Sequence, residues 1–142
     1  MNKKSGFTLF ELLVSISIIA ILTALATISY SSAQKKARDA RRVEDMLSIQ
    51  KAEEQWYMTH NSVYRGGCGS GMQWADASGT IIFVSPTEPK SGWPGYQVAN
   101  CGGASYCVCA TLENSIGNSN DVTCAAWVTV GTGSLYCVTN QQ

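Results

Sequence analysis

Apolar residues run almost without interruption from Phe7 to Ile28, after which polar and charged positions return at helical spacing as far as Thr59. No glycine or proline lies between Gly6 and Gly66, so nothing in that span breaks a helix, and the pattern predicts one continuous element over about residues 7–59. Its first 22 residues, 7 through 28, would extend about 33 Å at ~1.5 Å per residue, enough to cross a hydrocarbon layer of ~30 Å. The remainder, 29–59, reads as amphipathic. Ala33, Ala37, Ala40, Val43 and Leu47 recur every three or four positions, and Met46, Ile49, Ala52 and Trp56 continue a stripe that drifts around the helix. Such a stripe needs a cover, and the segment after residue 60 is the obvious one.

Beyond Gly66 the pattern changes to short β-branched runs between turn residues. Strands are predicted over Thr80–Ser85, Tyr96–Ala99, Ser105–Leu112, Val122–Val130 and Leu135–Thr139, with a proline- and glycine-rich connection from Pro86 to Gly95. Gly131-Thr132-Gly133 signals a hairpin between the last two. In the strand over 122–130, Val122, Cys124, Ala126, Val128 and Val130 would share one face, with Trp127 on the other. The fold class is therefore α+β, a long N-terminal helix whose outer half packs on a small antiparallel sheet.

One carboxylate, Glu11, interrupts the apolar run near its start. An unpaired charge inside hydrocarbon costs about 2.5–3.5 kcal/mol on insertion scales, so a spanning segment that keeps one has a partner for it. Cleavage after Gly6 would create that partner, a new amine on Phe7. A basic leader with Lys3 and Lys4, Gly6 before the cut, Phe7 after it and Glu11 four residues on resemble the N-terminus of the type IV pilin superfamily, which includes pilins and pseudopilins. Further along, Pro86-Thr87-Glu88-Pro89-Lys90, then Tyr96 and Tyr106, are similar to the sheet region of major pseudopilins and small pilins.

The resemblance implies a pilin fold divided into a leader (1–6), a transmembrane and assembly half-helix (7–28), an amphipathic half-helix (29–59) and a cysteine-bearing β domain (60–142). It implies that prepilin peptidase cuts between Gly6 and Phe7 and methylates the Phe7 amine. It implies further that inner-membrane assembly machinery draws the chain into a helical filament of identical subunits. Glu11 would then meet the Phe7 amine of a neighbour, or that of its own chain. At ~4 Å and an effective dielectric near 20 the attraction is about 4 kcal/mol before desolvation. Ala20 and Ala24, four apart, allow close helix approach. Where many relatives carry a proline this chain has Ile28, so melting of residues 27–32 on assembly is not predicted. Major pilin, minor pilin and pseudopilin share the N-terminal half, so the sequence does not choose among them.

The six cysteines, Cys68, Cys101, Cys107, Cys109, Cys124 and Cys137, all follow residue 67. An even number suits an oxidising compartment and up to three disulfides, with about 15 connectivities open. Cys107 and Cys109 would face the same side of a strand, which argues against pairing with each other. A thiolate metal site is disfavoured, because no Cys-x2-Cys pair occurs and His60 is the one histidine. Some relatives bind calcium in a late loop. Asn118, Asn120 and Asp121 are weak calcium candidates here, since Asn and Ser loops are usually turns. No phosphate loop, zinc-protease motif or serine-nucleophile signature is present, so no cofactor and no enzymatic activity are expected. His60 is expected to cap the helix end or lie on the surface.

Charge adds one complication. The precursor is neutral, with ten basic and ten acidic side chains, and loss of Lys3 and Lys4 leaves eight against ten, a net of −2. Five basic residues lie within 35–42. Interleaved Asp39, Glu44 and Asp45 and the lack of an aromatic platform favour a solvated helix face over nucleic-acid contact. Counted by the positive-inside rule, those residues would keep the C-terminal part in the cytoplasm. The leader and the cysteines instead place it outside a cytoplasmic membrane before assembly, and in a surface filament or periplasmic pseudopilus afterwards. Two other readings stand beside this one. Ala24-Leu25-Ala26 could end an ordinary signal peptide of a secreted binding protein, and an anchored surface domain could exist without polymerising.

Overall fold

The structure is a computed structural model that describes residues 6–65, 68–124 and 131–141. The element order is one helix followed by five strands: α1 (Leu9–Thr59), β1 (Gln73–Ala75), β2 (Ile81–Val84), β3 (Gln97–Asn100), β4 (Cys107–Thr111) and β5 (Leu135–Thr139). The chain divides into two compact units, one up to Gln34 and one from Lys35 onward.

In the first unit every described side chain is exposed. Among the described residues, α1 is the one helix long and apolar enough to cross a membrane. The hydroxyls within its apolar stretch are satisfied along the helix itself. Ser15, Ser17, Thr23 and Thr27 donate to the carbonyls of Glu11, Leu13, Ile19 and Thr23 at 2.7–2.9 Å. No hydroxyl there needs water, which is the condition for a backbone in lipid.

In the second unit, α1 buries Asp39, Arg42, Met46, Ile49 and Glu53. Their spacing of three and four puts them on one face. That face differs from the stripe expected from the sequence, since Ala33, Ala37, Ala40 and Leu47 are exposed and Val43, Ala52 and Trp56 half-buried. The apolar pattern misled because three ionic residues, Asp39, Arg42 and Glu53, take core positions beside polar partners described below.

The main sheet is antiparallel, in the order β3-β4-β5, and β1-β2 form a separate antiparallel pair. β4 is nearly all buried because both of its faces are covered. Val108 and Ala110, with Val138 of β5, pack in the cluster that includes Met46 and Ile49 of α1. Cys107 and Cys109, with Leu135 and Cys137, form a second cluster on which Val122 and Cys124 pack. Three disulfides join Cys68 to Cys101, Cys107 to Cys124 and Cys109 to Cys137. Cys109 faces Cys137 in the β4–β5 register, so that bridge crosses directly between strands.

Several local expectations change. The helix begins at Leu9 instead of Phe7 because Thr8 caps it. β1 was not legible as a strand, although its Trp74 is buried against Phe83. Residues 122–124 form a turn, with Cys124 at φ 55°, where a strand over 122–130 was expected; residues 125–130, including Ala126, Trp127, Val128 and Val130, lie outside the described residues. Pairing of Cys124 with Cys107 fixes this turn over the sheet. Gly131-Thr132-Gly133 turns inward, and Gly133 exchanges hydrogen bonds with Gly117 at 2.8 and 3.1 Å.

Candidate functional site

Two sets of residues carry the chemistry the sequence pointed to. The first is the start of α1. Gly6 and Phe7 precede the helix and are exposed, Phe7 by 87%. Thr8 and Glu11 form a reciprocal cap: the Glu11 N–H donates to Thr8 Oγ1 (3.2 Å), while the Thr8 N–H and hydroxyl donate to Glu11 Oε2 (2.9 and 2.8 Å). This Thr-x-x-Glu arrangement satisfies free donors at a helix start. Sequence reasoning gave Glu11 an amine partner and missed Thr8, although the Thr8-to-Glu11 spacing was a readable signal. The cap occupies one carboxylate oxygen and leaves Oε1 for another group. It also survives cleavage after Gly6, because the Thr8 nitrogen remains an amide.

The second set joins α1 to the loops of the second unit. Asp39 and Arg42 are fully buried. Arg42 Nη1 donates to Asp39 Oδ1 (2.7 Å) and Glu113 Oε1 (3.2 Å), and Arg42 Nε donates to Glu88 Oε2 (3.0 Å). Arg38 forms a two-pronged contact with Glu113 (2.6 and 2.9 Å), and Lys90 Nζ also reaches Glu113 (3.0 Å). Asp39 in turn accepts from the backbone N–H groups of Glu113 and Asn114 (2.8 and 2.9 Å). Three cations, Arg38, Arg42 and Lys90, thus face three carboxylates, Asp39, Glu88 and Glu113. The Arg38 guanidinium, aided by Lys90 and Arg42, holds the Glu113 carboxyl well below the ordinary carboxylate range. Trp93 lies under both Arg42 and Lys90, at 5.3 and 4.0 Å to the ring centre.

This network corrects the reading of residues 35–42 as a solvated face. Arg38 and Arg42, a repulsive pair four apart in isolation, are held together by Glu113 between them. Lys35, Lys36 and Arg41 are the members of the cluster that remain exposed.

The late-loop oxygens serve the chain itself. Asn118 Oδ1 accepts from the Cys137 N–H (2.7 Å), Asn120 Oδ1 from the Ser134 N–H (3.0 Å), and Asp121 from the Thr123 N–H (3.0 Å). The structure places Asn118 half-buried and Asn120 exposed, each side-chain oxygen turned to a neighbouring backbone amide. His60 ends the helix as an exposed residue, its Nδ1 within 3.1 Å of the Trp56 carbonyl and its ring stacked on the Trp56 indole at 3.5 Å.

An apolar helix with an acid near its start and a disulfide-bonded antiparallel sheet are the features set against known proteins. Residues 1–27 match the family described as the prokaryotic N-terminal methylation motif. The chain is also similar to prepilin peptidase-dependent protein D of Escherichia coli (strain K12), with 30% identity over 92 residues, 65% of this chain. The match spans 62% of that relative's length. No solved structure matches. The methylation motif, the relative and the helix-on-sheet fold are each similar to what proteins of the type IV pilin superfamily carry.

Proposed function

We propose that the chain is a structural, non-catalytic filament subunit. Prepilin peptidase removes residues 1–6 and methylates the Phe7 amine. The segment 7–28 then holds the protein in the cytoplasmic membrane with the C-terminal part outside, until assembly machinery packs it into a helical pilus or pseudopilus.

The observation that carries this reading is the state of Glu11. Its carboxylate sits in an exposed apolar helix, and among the described residues Thr8 alone binds it, through one oxygen. The other oxygen is available for a cation, and cleavage supplies one on Phe7 of an adjacent subunit. The charge attraction then adds to apolar packing that lipid alone would not favour over solvation of separate helices.

Glu11→Gln keeps a side chain able to cap Thr8 but removes the charge. The expected outcome is normal cleavage and membrane insertion with at least about tenfold less sheared filament, corresponding to about 1.4 kcal/mol. A filament yield equal to wild type would reject the intersubunit role. The first residue of the mature protein separates this reading from a secreted product, being methylated Phe7 here and Thr27 after signal-peptide cleavage.

A further inference from the structure

We propose that Glu53 is a proton-operated clasp, which holds the segment following α1 against the helix while its carboxyl is neutral and loosens that segment when it ionises. Glu53 is fully buried on α1. Its Oε2 accepts from the Arg65 N–H at 3.0 Å, while Oε1 has no hydrogen-bond partner among the described residues. A carboxyl oxygen of Glu53 lies within 4.8 Å of the sulfurs of both Cys68 and Cys101. The acid therefore bonds the backbone at Arg65 and lies beside the disulfide between Cys68 and Cys101.

The segment it grips is under conformational load. Asn61 and Ser62 are consecutive non-glycine residues in the left-handed region, at φ 55° and 58°, a conformation that side chains with a Cβ disfavour. The Ser62 N–H donates to the Tyr57 carbonyl (3.2 Å) and the Tyr64 N–H to the Gly103 carbonyl (3.0 Å). Such a loop stays closed only while its surroundings hold it.

The groups facing Glu53 offset a negative charge only in part. Glu54, beside it on α1, adds a second acid, hydrogen-bonded by the hydroxyls of Tyr64 (3.2 Å) and Tyr106 (3.5 Å). The guanidinium of Arg65, whose charge acts on Glu53, lies over Trp56 (4.8 Å) and Trp74 (5.9 Å) and donates to the Ala75 carbonyl (3.3 Å). Burial consequently pushes the Glu53 carboxyl up to about 7, with the Arg65 contacts opposing the shift and Glu54 adding to it. In the unfolded chain the same group titrates near 4.5. Because the folded value is the higher one, the stability this group contributes is full below about 4.5 and is lost as pH rises through about 7.

The test uses the full chain in detergent micelles with disulfides intact. Amide hydrogen exchange of residues 60–65, corrected for intrinsic pH dependence, is compared with that of β4 between about pH 5 and 8.5. Wild type should lose about tenfold or more in protection of 60–65 across this range while β4 changes little. Glu53→Gln should remove the pH dependence. His60→Gln, which changes the other ionisable ring at this helix end, should retain it. Infrared spectroscopy of wild type should show a protonated carboxyl band disappearing over the same interval, a readout that stands even if Glu53→Gln folds poorly. Flat protection in wild type, pH dependence that persists in Glu53→Gln, or its loss in His60→Gln would each overturn the proposal.

Discussion

Asp39 shows how one side chain can fasten a helix to two loops. Its two oxygens take the Arg42 guanidinium, the N–H groups of Glu113 and Asn114, and the Asn114 amide, the last at 2.7 Å. Asp39→Ala would leave two backbone donors without their acceptor and remove one of the three carboxylates around a buried guanidinium, which keeps Glu88 and Glu113. Loss of about 3–5 kcal/mol is expected, read as a drop in the denaturation midpoint of the second unit. Asp39→Asn, which keeps an acceptor, should lose less, and equal losses would assign the effect to the charge instead of the acceptor oxygens. Glu11 was legible because a lone acid in an apolar run stands out against its background. Asp39 and Arg42 were not, because a charged residue on an amphipathic helix is ordinarily solvated, and their acceptors and donors lie 46 to 75 positions away in sequence.

At the scale of elements, continuous features were readable and discontinuous ones were not. The helix was legible to within two residues at its start, since breakers are missing throughout its length. The strands β2, β3, β4 and β5 follow β-branched runs. β1 does not, as Gln73-Trp74-Ala75 is three residues with no alternation to read, and it becomes a strand by pairing with β2. The inward turn at Gly133 depends on contacts no local pattern carries. A Cβ at Gly117 would sit 1.9 Å from the Leu135 carbonyl oxygen, and one at Gly133 would sit 2.5 Å from that of Ser119. Gly117→Ala therefore forces the loop off the start of β5, with about 1–3 kcal/mol lost and weakened exchange protection at Leu135. Gly131→Ala, where a Cβ meets nothing within 4 Å, tests backbone conformation alone, since φ there is 97°.

For the molecule as a whole, the sequence conveyed the division of labour between an apolar helix and a cross-linked sheet but left the pairing of six thiols open. The sheet is covered by α1 on one face and by a short turn on the other. Among the described residues that turn brings Val122 and Cys124 to the cover, so covalent links add to core there. The bridges close separations of 33, 17 and 28 residues, each contributing about 3–4 kcal/mol by the chain-entropy argument. Complete reduction should lower the melting midpoint of the near-ultraviolet aromatic signal by more than about 10 °C. The far-ultraviolet helical signal should decline much less in micelles. A midpoint indifferent to reductant would show that packing alone secures the turn.

The bond from Cys107 to Cys124 encircles the exposed bend at Ser115 and Ile116. A protease that nicks the backbone in that bend would therefore shed nothing, since both pieces remain tied across the gap. In a filament of the kind proposed, a subunit scored at that bend would stay in one covalent piece.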